Sequence, residues 1–446
     1  MLRVFKLLVF VVIFELVNSE TVLRVSTTSE NDVKTLIKLA DLEGLIPLDF
    51  WHMPDAVNGS ADVMVSDSYR TKLENYFSKQ GLKFETKIED VEKVIRKERR
   101  DIRKREREIQ RRRKRNVMPF FDFYNYQRHD KMVRYLLEIS RRFPAITRLM
   151  NIGHSRENQT IWLLKISTGN RRGYSKPAIW VDGGIHAREW AAPHVVFYFI
   201  DRLVTRYGRD VKITNLVDKL DWYIAPNLNP DGYSYSWSST SPYVRLWRKN
   251  RAPEQCIFWV RSKICCTGVD LNRNFNARWA KYGKTADNPC KGIFHGEAPF
   301  SEPETRAVRN FVRPRLRSIK AFITLHTYSQ LWIHSWGYAK NFYPSDVADL
   351  EKLGKEATKA IESVYGTKYK VGSMPDFYYS ASGSSKDWAK EQGIKYAYTL
   401  ELRPHMEQKN WNGFMLPREE LLPTARETFE GVKVVAKAVI KEFRHP

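Results

Sequence analysis

The sequence predicts an α/β domain with a mixed central sheet between helical layers, preceded by a small α+β domain. Two patterns carry this expectation. From residue 116 onward, apolar β-rich runs such as AIWVDGG, YIAPNL, AFITL and KYAYTL alternate with helical stretches. Before that, residues 20–91 run through strand and helix patterns in a shorter cycle. The 446 residues are 42% hydrophobic and 28% charged, a globular composition, and repeats are absent.

The elements follow in chain order. Met1, Arg3 and Lys6 precede LLVFVVIF, with Val17 and Ser19 at small-residue cleavage positions. Residues 1–19 therefore read as a secretory signal peptide, too short to span a membrane, with a buried N-terminal strand as the competing reading. No later stretch reaches the roughly 20 apolar residues of a membrane-spanning helix. A soluble, secreted, extracellular product is expected.

Residues 20–91 give VLRV, ENDVKTLIKLAD, LDFWHM, ADVMVSD, SYRTKLENYFSKQ and KFETKIEDV. Their order, strand, helix, strand, strand, helix, strand, fits a ferredoxin-like domain. Residues 92–115 follow as a basic connecting helix: from Lys93 to Arg115 there are 14 Lys or Arg against four acids, and Ile95, Ile102 and Ile109 repeat every seven residues. The run ends in RRRKR. Nucleic-acid binding is one reading of such a run, but in an exported chain a multibasic processing site is expected, with cleavage by a processing protease after Arg115. Residues 116–446 would then form the mature domain.

That domain holds net +19 of the chain's formal +24. Such a surface could steer acidic substrates, hold a sulfated polysaccharide, or be solvated without a specific partner. No nucleic-acid partner is expected. Cys256, Cys265, Cys266 and Cys290 lie within 35 residues, and an oxidising compartment lets them pair in any of three connectivities. A second metal site competes, although no histidine lies between Cys256 and Cys290. Asn58-Gly-Ser and Asn158-Gln-Thr are glycosylation sequons.

The chemistry concentrates in GGIHAREW, DLNRNF, TLHTYSQ and YTLELR. Two histidines and a carboxylate are a standard ligand set for a catalytic zinc that keeps one position open, and His186, Glu189 and His326 supply one. In open α/β sheets the ligand crevice lies outside the carboxyl ends of the strands. His186, His326 and Glu401 each follow or end an apolar run, so they are expected to converge on one rim.

Together with NPDGY at 229–233, RLWRKNR at 245–251, GVDLNRNF at 268–275, HTYSQ at 326–330, YYSASGSSKDW at 378–388 and LELR at 400–403, these segments make the chain resemble the secreted zinc carboxypeptidases of the A/B family. Carboxypeptidase A is itself a reference example of a two-histidine, one-glutamate zinc site. The resemblance implies that His186, Glu189 and His326 bind one Zn2+ per catalytic domain and that Glu401 is the general base. It implies that Asn272 and Arg273 bind the substrate's terminal carboxylate, that Arg251 faces the oxyanion, that Arg188 lines the neighbouring subsite and that Tyr379 closes over the substrate. It further implies a Cys266–Cys290 bridge, leaving Cys256 and Cys265 to close an extra loop, an inhibitory propeptide over the first domain, and a monomer.

Lys386 departs from the family pattern. It matches the floor of the pocket for the C-terminal side chain, apolar in A-like and acidic in B-like members. A cation there favours peptides ending in Glu or Asp. If Asp376 neutralised it, or if it turned to solvent, an apolar pocket bordered by Met374 would remain. Two further readings are an inactive relative that binds peptides or matrix and a basic heparin-binding protein. The presence of Glu401 with all three ligands argues against both.

Overall fold

A computed structural model describes residues 19–53, 57–113, 121–169, 176–259, 262–283 and 285–443. Residues 1–18 of the proposed signal peptide and the cleavage point at Arg115 lie outside the described residues. The chain divides into two compact units, residues 1–96 and 97–446.

The first unit runs β1 (Glu20–Ser26), α1 (Glu30–Ala40), β2 (Leu48–His52), β3 (Ser60–Ser66), α2 (Asp67–Lys79) and β4 (Lys83–Ile88), the order expected from sequence. All strand pairs are antiparallel, in the order β2-β3-β1-β4. Ser29 and Asp32 form a reciprocal capping box that starts α1, and Val33, Leu36 and Leu39 give it one buried stripe. Arg24 and Asp62, directly opposite on β1 and β3, make a buried two-pronged ion pair at 2.6 and 2.9 Å.

The second unit begins within α3 (Val91–Arg113). There Ile102 is buried and Ile109 half-buried, in line with the seven-residue stripe. The basic helix is not wholly solvated, because Arg99 is buried against the stacked Trp190–Trp237 pair, 4.5 and 4.4 Å from the two ring centres, and donates to the Ser236 carbonyl. Glu98 pairs at 2.7 Å with Arg245.

After α3 come α4 (His129–Arg142), β5 (Thr147–His154), β6 (Thr160–Ile166), β7 (Ala178–Gly183), α5 (Ala191–Thr205), α6 (Val211–Lys219) and β8 (Asp221–Ala225). Short α7 (Pro230–Ser236) and α8 (Pro242–Arg245) lead to a hairpin of β9 (Gln255–Trp259) and β10 (Ser262–Cys266). The last part runs α9 (Pro303–Val312), β11 (Ile319–Thr327), β12 (Leu331–His334), α10 (Val347–Tyr365), β13 (Lys370–Ser373), α11 (Met374–Phe377), α12 (Ser385–Glu391), β14 (Tyr396–Leu402) and α13 (Arg418–Phe443).

Eight of these strands form one mixed sheet, ordered β13-β12-β14-β11-β7-β8-β6-β5, with β14, β11, β7 and β8 parallel at its centre. Side chains alternate between two apolar layers. Ile179, Val181 and Leu325 pack with α4, α5, α6, α10 and α13, whereas Ala178, Trp180 and Phe322 pack with α9 and α12. The expected sheet between helical layers is what forms.

Both disulfides are present: Cys266–Cys290, and Cys256–Cys265, which joins directly paired residues of the hairpin. Glu254, Cys256 and Cys265 do come close enough to suggest a second metal site, but both cysteines are consumed by the bridge. Asn58 and Asn158 are exposed. Among the described residues, no helix is long and apolar enough to cross a membrane.

Candidate active site

The parallel centre of the sheet gathers the site on one rim. β7 and β11 are in register through Leu325 and Gly183, and β11 and β14 pair His326 with Glu401. Beyond β7 the chain turns sharply at Gly184, where φ is +67° and a Cβ would lie 2.6 Å from Asn227 Oδ1, so a larger residue would be both strained and obstructed. The turn carries His186 and Glu189 to the N-terminus of α5. Asn229 fastens it by donating to the carbonyls of Ile185 and Lys249.

His186, Glu189 and His326 are all buried, and their donors converge. His186 Nδ1 lies 2.7 Å from Glu189 Oε1, His326 Nδ1 lies 3.0 Å from Glu189 Oε2, and the two Nδ1 atoms face each other at 3.1 Å. Ligands held at about 2.0–2.1 Å by one tetrahedral zinc stand roughly 3.3 Å apart, so the donor set fits that ion closely. His186 Nε2 donates to Asp270 Oδ1 at 3.1 Å, which leaves the Nδ1 lone pair for a metal. His326 Nε2 lies 3.4 Å from Thr324 Oγ1, whose proton goes to Asp182.

Glu401 faces this cluster from β14 without joining the ligand triangle. Burial, with the nearby Glu189 carboxylate, pushes its pKa up from 4.5 to about 8, against the pull of His326, Arg248 and Arg273. A carboxyl raised in this way is suited to holding and returning a proton.

Asp270 joins this cluster to Arg248, Asn272 and Arg273. It accepts from both Arg248 Nε and Nη2, at 3.1 and 2.9 Å, and from the Asn272 backbone at 2.9 Å, while Arg273 lies 3.9 Å away. The three guanidinium and imidazole partners hold Asp270 well below the ordinary carboxylate range despite burial. Arg273 donates to Tyr379 Oη at 3.2 Å, and Asn272 Oδ1 accepts from the Ser385 N–H at the start of α12. Gly383, at φ +78°, lets that loop pass over Arg273, whose carbonyl oxygen would be 2.1 Å from any Cβ. Arg188 is buried with its guanidinium 4.2 Å over the Phe414 ring.

Two expectations change. Arg251 lies outside the cluster, stacked 3.8 Å over Tyr235 and 3.8 Å from Glu157. The arginine beside the metal ligands is Arg248, which the sequence reading passed over. RLWRKNR holds three arginines in seven residues, and bonds to the 183–190 turn, from Ala187 N to the Arg248 carbonyl and from Arg245 Nη1 to the Arg188 carbonyl, fix which one enters. Lys386 is buried, and its charge is met by Asp387 rather than by Asp376. Its Nζ donates to Asp387 Oδ1 at 2.6 Å and to the His334 carbonyl at 2.9 Å. Asp376 instead caps α11 and accepts from Tyr343.

Comparison with known proteins agrees with this construction. The zinc carboxypeptidase family matches residues 132–431, and the carboxypeptidase activation peptide matches residues 23–98. Mouse carboxypeptidase A2 is 35% identical over 94% of both chains, and carboxypeptidase B of the crayfish Astacus astacus is 40% identical over 71% of this chain and 98% of its own. Among solved structures, a carboxypeptidase A from Helicoverpa armigera superimposes with TM-score 0.82 at 28% identity, covering 96% of this chain and 99% of that one. Thrombin-activatable fibrinolysis inhibitor gives 0.79 at 29%, covering 96% and 100%.

Fold and site thus define a zinc-dependent peptide hydrolase made as a zymogen. The chain belongs to the zinc carboxypeptidase family and carries that family's activation peptide, which makes it a metallocarboxypeptidase with one catalytic zinc.

Proposed function

We propose that the chain, once cut after Arg115, removes single residues from peptide C-termini with a preference for glutamate and aspartate. His186, Glu189 and His326 would hold the zinc, which supplies a Lewis acid and lowers the pKa of water in its open position. Glu401 takes a proton from the attacking water and returns it to the leaving amine. Arg248, in place of Arg251, stabilises the oxyanion; Asn272 and Arg273 hold the terminal carboxylate; Arg188 lines the adjoining subsite; and Tyr379 closes over the residue to be released.

Lys386 carries the specificity proposal. An ammonium has three N–H donors, and Asp387 and His334 take two. The third is left for a substrate carboxylate in a largely desolvated pocket. The Asp387 pairing favours a second reading, an apolar preference, because it offsets the lysine charge. Rates on matched peptides ending in Glu, Phe and Arg separate the two. A Glu rate at least tenfold above the Phe rate is expected, and a higher Phe rate would discard the acidic preference while keeping the enzyme.

The oxyanion assignment has its own test. Arg248→Ala should lower kcat by about 10²–10³ with little change in KM, as expected for a group acting in the transition state. Arg251→Ala should stay within a few-fold of the parent; the reverse pattern would restore Arg251. Around this core we read residues 20–91 as inhibitor, a multibasic-site protease as activator, the extracellular space as destination and a monomer as the working form.

A further inference from the structure

The chain from Arg306 to Lys320 reads RAVRNFVRPRLRSIK, six cations without an acid. Arg306, Arg309 and Arg313 recur at i, i+3 and i+7, so α9 and its short continuation bring them to one face, and Arg317 follows, exposed, in the turn before β11. From Arg306 to Arg313 the row measures about 10 Å at helical rise.

Arg156 and Arg403 show the contrast, the first paired with Glu302 and the second with Glu420 and Glu427. Among the described residues, none of the five arginines from 306 to 317 has a carboxylate within ion-pair distance. Arg306 and Arg315 donate to backbone carbonyls, and Arg309 to Asn310. The acids just upstream are already engaged, Glu302 by Arg156 and Asn250, and Glu304 by Asn250 and the Arg156 N–H. Arg309 is held below its ordinary pKa by partial desolvation and by the charges of Arg306 and Arg313. The row is therefore electrostatically uncompensated.

We infer that the α9 arginine row is a docking track for a linear sulfated polysaccharide. Guanidinium forks match sulfate oxygens, and a row of them suits a chain with regularly spaced anions. Single-stranded nucleic acid binds with base stacking on aromatic side chains, whereas Phe300 and Phe311 beside this row are buried. The track does not compete with catalysis. Arg313–Arg317 precede β11, whose far end carries His326, about 23 Å away along seven residues of strand. The inference goes beyond the peptidase reading and leaves it intact if it fails.

The test is arginine-selective labelling of the full chain with and without a heparin decasaccharide, read by mass spectrometry. Protection of Arg309, Arg313 and Arg317 is expected, and uniform labelling of all three overturns the proposal. In parallel, the variant carrying Arg309→Glu, Arg313→Glu and Arg317→Glu should lose at least tenfold in decasaccharide affinity at 0.15 M salt. A control carrying Lys352→Glu, Lys355→Glu and Lys359→Glu on exposed positions of α10 should change it less than threefold. Equal losses would mean that only net charge matters and would overturn the track, as would tighter protection of the same arginines by a single-stranded oligonucleotide of equal charge. Hydrolysis of a small peptide by the activated variants should be unchanged, which also reports correct folding.

Discussion

Glu401→Gln is expected to leave zinc bound and to lower kcat by about 10³, within the range usual for loss of a general base. The amide keeps the shape of the carboxylate but cannot take the water proton, and all three donors of the zinc triangle remain. Zinc content by elemental analysis and single-turnover hydrolysis on the activated enzyme check this together. Full activity would remove Glu401 from its assigned role, and loss of zinc would make it a ligand. His326→Ala supplies the contrast, because it should lose metal and activity together.

The same residue sets an expectation for pH. The active form of a general base is the carboxylate, so kcat/KM should fall as pH drops through the Glu401 pKa. Burial raises that value from 4.5 to about 8, and a bound dication draws it back down. The acid limb of the wild-type profile should therefore lie between those values. In Glu401→Gln, the residual rate should lack it.

Lys386→Met is expected to reverse the preference. It removes the pocket's ammonium at similar length, so kcat/KM for peptides ending in Glu should fall about 10²-fold relative to those ending in Phe, as when a buried charge partner is lost. Asp387 is then left buried without its cation, its carboxylate still accepting from the Gly337 N–H, a neutral donor. Breaking a buried pair from one side costs about 3–5 kcal/mol, so a lower Tm should accompany the change. Lys386→Arg retains a cation and should keep the Glu preference. A Glu-to-Phe ratio in Lys386→Met within about threefold of wild type would show that the lysine serves only Asp387.

The layout of both units was legible because each strand and helix carries its own local pattern. The meeting of His186, Glu189 and His326 was legible too: β11 ends beside His326, the turn after β7 carries the other two, and strand ends of a parallel sheet share a rim. What could not be read was pairing between segments. Nothing local marks Arg248 over Arg251, because the choice depends on how the 245–251 segment lies against the 183–190 turn. Asp387 is adjacent to Lys386 in sequence, yet neighbours on a helix usually diverge, and their 2.6 Å contact depends on the way α12 starts. In sequence Arg99 is one more charge in a basic run, and its seat against a stacked pair of tryptophans lies outside what a single helix can indicate.

Asp270 has a consequence for redesign. One carboxylate orients His186, the proposed metal ligand, holds Arg248 and accepts from the backbone of the Asn272–Arg273 turn. The metal half and the anion half of the cleft are therefore mechanically one part. If Lys386 sets specificity as proposed, that preference can be rewritten there, on α12, whereas reshaping the proposed carboxylate grip of Asn272 and Arg273 should be felt as altered metal retention. Variation among enzymes built this way should accordingly gather in the side-chain pocket and leave the carboxylate grip alone.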